Sequence, residues 1–169
     1  MRGEGVTARG KGSRFAPCAS RLALFLATGA GVGYSPLLPG TVGTLWGVGL
    51  AWGFRETSDL VHLLGAILLL GVGVVVSGEA ERLRGQKDPP CVVIDEIVGF
   101  WLAAFRVPTE ITSYILVFLL FRALDIWKPV PQLERLPGGW GIMVDDALAG
   151  ILANFSFHFL CYYGIKILG

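Results

Sequence analysis

Histidine and cysteine are scarce in this sequence, and their scarcity removes whole classes of chemistry. The two histidines, His62 and His158, stand alone in apolar runs. Their neighbours at helical spacing complete no site, so each reads as a packed or interfacial residue, and no Ser/His/Asp arrangement stands out. The three cysteines, Cys18, Cys91 and Cys161, are odd in number and widely spaced, with no CxxC pair. They suggest neither a disulfide framework nor zinc. Charge is sparse too, at 16% of residues with a net +1, which leaves no electrostatic case for nucleic acid or an acidic partner. A Gly-x-x-x-x-Gly-Lys-Ser/Thr loop is missing, which sets aside nucleotide hydrolysis of that type. No internal repeat and no alternating strand pattern of convincing length is present.

What remains is oily and helical. Of 169 residues, 53% are hydrophobic, and the mean hydropathy is +0.63. Such a balance shifts the reading toward one membrane-embedded domain. Residues 1–20 are basic, with Arg2, Arg9, Lys11 and Arg14, and read as a cytoplasm-facing tail ahead of a single domain over 21–169. A cleaved signal peptide is the rival for the start, but a Pro/Gly motif follows where a small-residue site should stand. From Leu22 to Phe54 there is no charge, and GAGVGYSPLLPGTVGT breaks the run into two short helical pieces, the second opening near Thr41. Glycine and a hydroxyl at a helix start leave N–H groups free for an anion, which makes Thr41 a phosphate-binding candidate. Close packing through glycine is the plainer account of that turn and the one the stretch favours. Leu60 to Val76 is the best spanning segment, ~25 Å long as a helix.

The chemistry then changes abruptly. In SGEAERLRGQKDPPCVVIDEIVGF, ordinary helix-surface ion pairs account for Glu81 and Arg82. Asp95-Glu96 is different, because it lies between Val92-Val93-Ile94 and Ile97-Val98, where an unpaired carboxylate is costly to desolvate. Ile97–Phe105 and Ile111–Phe121 form an apolar hairpin around Arg106–Glu110. Arg122, Asp125 and Lys128 follow at steps of three, close to one helical face, until Pro129 and Pro131 stop the helix. Gly138-Gly139 makes a turn, Asp145-Asp146 close the segment, and Ala147–Leu168 is a last apolar helix. Acidic residues at such a start suit the helix dipole, which explains one of the two aspartates but not both.

Two apolar hairpins, with turns near Arg55–Asp59 and Arg106–Glu110, return the chain to the side it left. The blocks around 33–44, 77–96 and 122–146 are therefore expected at one membrane face or one end of a bundle. The basic tail with Arg82, Arg84, Lys87, Lys128 and Arg135 puts that face in the cytoplasm. Nine of the thirteen acidic residues lie in these blocks, with no histidine among them. An all-oxygen set suits magnesium before calcium or manganese, and magnesium beside Arg and Lys is what phosphoryl chemistry needs.

Residues 29–47 (GAGVGYSPLLPGTVGTLWG), 77–101 (SGEAERLRGQKDPPCVVIDEIVGFW) and 122–150 (RALDIWKPVPQLERLPGGWGIMVDDALAG) resemble the three signature blocks of the phosphatidylglycerophosphatase A family, in its order and spacing. Val130 departs from the pattern, standing between the prolines where an aromatic is common. The resemblance implies an all-α, magnesium-dependent lipid phosphatase of the bacterial inner membrane. Such an enzyme converts phosphatidylglycerophosphate to phosphatidylglycerol and phosphate. It implies Asp95, Glu96, Asp145 and Asp146 as leading metal ligands, Asp125 and Asp88 next, and Glu79 as a ligand or supporting group. The catalytic set is then Asp95, Glu96, Asp125, Asp145 and Asp146, with Arg122 and Lys128 holding phosphate. Two other readings stay open: an ion-coupled carrier, which expects carboxylates at mid-membrane depth, and a soluble helical phosphatase acting on another ester.

Overall fold

The computed structural model describes residues 16–168, and the residues described form six α-helices and no strand. The helices are α1 (Ala16–Ala27), α2 (Pro39–Gly53), α3 (Asp59–Arg84), α4 (Ile94–Ala103), α5 (Ile111–Trp127) and α6 (Gly139–Leu168). Short 3-10 turns at Val32–Tyr34 and Leu133–Arg135 lie in two of the connections. Of the basic N-terminal stretch, residues 16–20 are helical and residues 1–15 lie outside the described residues.

Local chemistry explains the boundaries. Pro39 opens α2, where its missing N–H costs nothing because the first turn's donors have no helical acceptor. The Ser58 side chain caps α3 by accepting from the Val61 N–H, and Gly85 ends it in the left-handed region at φ +64°. Asp59 in the first turn and Arg82 and Arg84 in the last complement the helix dipole. The spanning segment read as Leu60–Val76 is therefore part of a longer helix that carries its charges at its ends.

α4 is central, packing against α2, α3 and α6. Glycine makes these approaches possible: a Cβ on Gly150 would overlap the Gly99 carbonyl, and one on Gly47 would stand 3.1 Å from the Ile97 backbone. One core forms around Phe100, Trp101, Val117, Phe121 and Phe157, and a second around Ala27, Val76, Val98 and Met143. Large apolar side chains also face outward, among them Leu60, Leu64, Ile67, Leu68 and Val75 along α3. Among the described residues, two helices, Asp59–Arg84 and Gly139–Gly164, are long and apolar enough to cross a membrane. Only 22% of the most apolar window of α3 is buried, so its oiliness serves the surface rather than the core. Continuous apolar exposure of this kind points to membrane association.

Two sequence expectations need correction. α6 opens at Gly139 instead of near Ala147, so Asp145 and Asp146 fall in its second turn and the dipole account of them fails. Lys128 does not continue the helical face of Arg122 and Asp125. It caps α5 in the left-handed region at φ +50°, its N–H bonded to the Leu124 carbonyl at 2.9 Å.

Candidate active site

The three sequence blocks line one cavity of about 1040 Å³. Its floor is acidic. Asp95 and Glu96 occupy the first turn of α4, and Asp146 comes from α6. One oxygen from each of these three residues lies within 4.8 Å of the others. Asp95 and Asp146 are only 8% and 6% exposed.

The electrostatics are unusual for a structural cluster. Among the described residues, four buried side-chain oxygens lack a hydrogen-bond partner, and three of them are Asp95 Oδ1, Glu96 Oε2 and Asp146 Oδ2. Burial drives the Asp95 carboxyl well above its usual range, with the Glu96, Asp146 and Asp88 charges adding to the effect. Burial likewise raises Glu96. Orphaned, mutually repelling carboxylates are expensive in a packed interior unless a cation joins them. The donor set is all oxygen, which fits a hard divalent ion and not zinc.

The walls hold the cations. Arg122 is ion-paired with Asp125, and its Nη1 also donates to the Thr44 hydroxyl at 3.4 Å. Thr44, fully buried, donates in turn to the Gly40 carbonyl at 2.9 Å, which ties α5 to the start of α2. Lys128 Nζ lies 3.7 Å from Asp145 Oδ2. Gly40 must lack a side chain, because a Cβ there would collide with Glu96 Oε1 and stand 3.4 Å from the Arg122 guanidinium. Thr41, Asp88, Lys87 and Arg135 also line the cavity.

The structure thus gathers Asp95, Glu96 and Asp146 on the floor, with Asp88, Asp125, Asp145, Arg122, Lys128 and Thr41 around them. Glu79 is set apart from the cavity: it is held by Arg82 at 2.6 and 2.8 Å and by the Ser20 hydroxyl at 3.0 Å. Its place as a metal ligand is withdrawn, because its oxygens are already engaged by Arg82 and Ser20 where α3 packs on α1. Gly40 and Thr44 were not singled out from sequence. Their signal was a glycine and a hydroxyl four residues apart at a helix start.

The expectation of a single face also needs refining. Gly139 packs on Val74 and Gly78 toward one end of α3, while Asn154 reaches the Ala103 and Phe105 carbonyls beside the other. Asp146 lies seven residues along α6 from Gly139, about 10 Å down the helix axis. The blocks share one cavity, but its acidic floor is sunk between the two ends of the bundle, while lining residues such as Leu38, Gln86 to Asp88 and Ile126 are exposed.

Buried carboxylates gathered opposite arginine and lysine are an arrangement suited to metal-assisted phosphoryl chemistry. The comparisons make this specific. The phosphatidylglycerophosphatase A family pattern matches residues 25–161. Phosphatidylglycerophosphatase A of Escherichia coli (strain K12) is 32% identical over 144 residues, covering 82% of this chain and 83% of its own. The Haemophilus influenzae protein of the same name is 35% identical over 133 residues, covering 76% and 82%. A Bacteroides thetaiotaomicron protein, provisionally named a phosphatidylinositol-3-phosphatase, is 37% identical over 143 residues, covering 78% and 89%. No solved structure matches the chain. The chain belongs to the phosphatidylglycerophosphatase A family, and it is an enzyme of the phosphatase class.

Proposed function

We propose that this enzyme hydrolyses the terminal phosphomonoester of phosphatidylglycerophosphate to phosphatidylglycerol and inorganic phosphate, a step of phospholipid biosynthesis, with magnesium as its metal. The observation that carries the reading is the trio of orphaned carboxylate oxygens beneath a cation-lined cavity. Asp95, Glu96 and Asp146 would hold the ion, with Asp145, Asp88 and Asp125 close enough to the cavity to complete or support the set. When bound, magnesium neutralises phosphate oxygens and lowers the pKa of a nearby water. Asp125 and Asp145 hold Arg122 and Lys128 at the walls, where their remaining donors meet the phosphate oxygens. A carboxylate not committed to the metal takes the proton of attacking water or itself attacks phosphorus.

The same reading makes residues 21–169 one multi-pass domain of the bacterial inner membrane, with 1–20 a basic tail and the cavity open to the cytoplasm. Its support is the outward apolar face of α3 and the Arg82, Arg84 and Lys87 cluster at one end of that helix. Outward oiliness also weighs against a soluble bundle. The sunken floor is the feature that the carrier reading expected, but membership of a phosphatase family weighs against transport.

Purified protein should release phosphate from phosphatidylglycerophosphate with magnesium and none in EDTA. Turnover that persists in EDTA refutes the metal assignment. The Bacteroides relative recommends phosphatidylinositol 3-phosphate as the competing substrate, and a higher kcat/KM on that lipid would reassign the headgroup.

A further inference from the structure

The cavity must admit a phosphate without drawing two acyl chains through a charged rim, and the junction of α2 with α5 offers a way. These helices approach each other at Gly40 and Arg122, beside Glu96 on the floor. Just beyond that point each carries an exposed apolar pair outside any spanning helix. Leu37 and Leu38, leading into α2, are 76% and 71% exposed, and Ile126 and Trp127, ending α5, are 72% and 74% exposed. Leu38 and Ile126 also line the cavity, so the apolar surface runs continuously into the polar chamber.

Leu38 is the telling residue. It is the N-cap of α2 and sits in the left-handed region at φ +48°, with no side-chain cap on the helix. Asn, Asp, Ser or Gly would serve better at such a position, both for the backbone and for the free N–H groups. An exposed, branched side chain held there against local preference marks a constraint other than folding.

We propose that the α2–α5 junction is a lateral portal for the lipid substrate. Leu37, Leu38, Ile126 and Trp127 hold its glycerol ester region and first acyl methylenes, while its terminal phosphomonoester reaches the floor. This rests on the phosphatase reading above. The occupant follows from continuity: an amphiphile with a phosphate at one end and hydrocarbon at the other matches a surface that turns from carboxylates and arginine to leucine and tryptophan. Tryptophan suits the boundary, since its ring combines an apolar body with one N–H donor.

The test compares the diacyl lipid in mixed micelles with its deacylated, water-soluble counterpart, followed both as substrate and as competitive inhibitor. Leu37→Ser/Trp127→Ser alters two exposed side chains that do not line the cavity. It should raise KM for the lipid about tenfold, as expected for losing contact with a few methylenes, and leave the soluble compound within about twofold. Leu38→Gly should also raise the lipid KM while raising Tm, because glycine relieves the backbone. A purely structural role for Leu38 predicts the Tm gain with the lipid KM unchanged. Parallel losses on both compounds, or an unchanged lipid KM in both variants, overturn the portal. A wild-type enzyme that releases phosphate from neither compound overturns the activity reading instead, and the portal with it.

Discussion

The two ends of α4 treat buried polar groups in opposite ways. At its C-terminal end side chains and carbonyls pair with one another. His62 Nε2 lies 2.9 Å from the Trp101 carbonyl, while the Trp101 indole donates to the His62 carbonyl at 3.0 Å. Asn154 donates to the Ala103 and Phe105 carbonyls at 2.9 and 2.7 Å, satisfying acceptors that the helix end leaves open. At the N-terminal end, barely two turns away, Asp95 and Glu96 join Asp146 with oxygens that have no partner at all. One chain solves the same problem of desolvation at one end of a ten-residue helix and leaves it unsolved at the other. The difference suits two tasks: saturated polar groups hold α4 in place, and unsaturated ones fit the metal site proposed above.

The sharpest way to break this contrast is to neutralise one member at each end. Asp146→Asn should lower kcat by about a thousandfold or more while the protein still folds, since it removes one of the three carboxylates proposed to hold the metal. Asn154→Leu should do the reverse. Two carbonyls lose their donor, and stability should fall by about 2–4 kcal/mol with kcat per folded molecule kept within severalfold. Phosphate-release kinetics and urea unfolding in detergent measure both. If the two variants behave alike, the division between the ends fails.

A smaller effect probes the fit between α2 and the floor. Gly40→Ala places a methyl group against Glu96 Oε1 and next to Arg122, so the carboxylate must move. About a hundredfold loss of kcat/KM is expected, with little change in unfolding, because displacement of about 1 Å at a catalytic group costs that much. Activity equal to wild type would show that Glu96 is not held in register by this contact.

The smallest effect concerns metal-free protein. A carboxyl whose pKa is raised on folding favours the folded state at low pH. That contribution is lost as pH rises through the raised value of Asp95, above the usual carboxylate range. Metal-free protein should therefore be less stable at pH 8 than at pH 5. Asp95→Asn should flatten the dependence and stabilise the metal-free form by about 1–3 kcal/mol at the higher pH. Thermal unfolding in EDTA across that range checks it, and an unchanged slope would deny that Asp95 is a strained, ligand-seeking group.

Much of this was legible before folding. Asp95-Glu96 stood out because carboxylates between valines and isoleucines have no solvent, and the structure buries Asp95 as that argument requires. Arg122 and Asp125 at a step of three became an ion pair. The start of α6 was misjudged because Gly138-Gly139 reads as a turn, whereas only Gly138, at φ +57°, is non-helical and Gly139 already begins the helix. Lys128 was placed on a helix face because spacing says nothing about the residue preceding Pro129, which proline steers away from helical geometry. Glu79 looked like its acidic neighbours, and only its pairing with Arg82 and Ser20 removes it from the cavity.

What the sequence determined by itself was the helical, apolar character of the chain and the inventory of oxygen ligands and cations, because hydropathy and residue chemistry are local properties. Tertiary structure alone decided which carboxylates come together, how buried they are, and that Gly40 and Thr44 lie beside them. Those are matters of distance between segments far apart in the chain, set by how closely glycine lets α2, α4 and α6 approach.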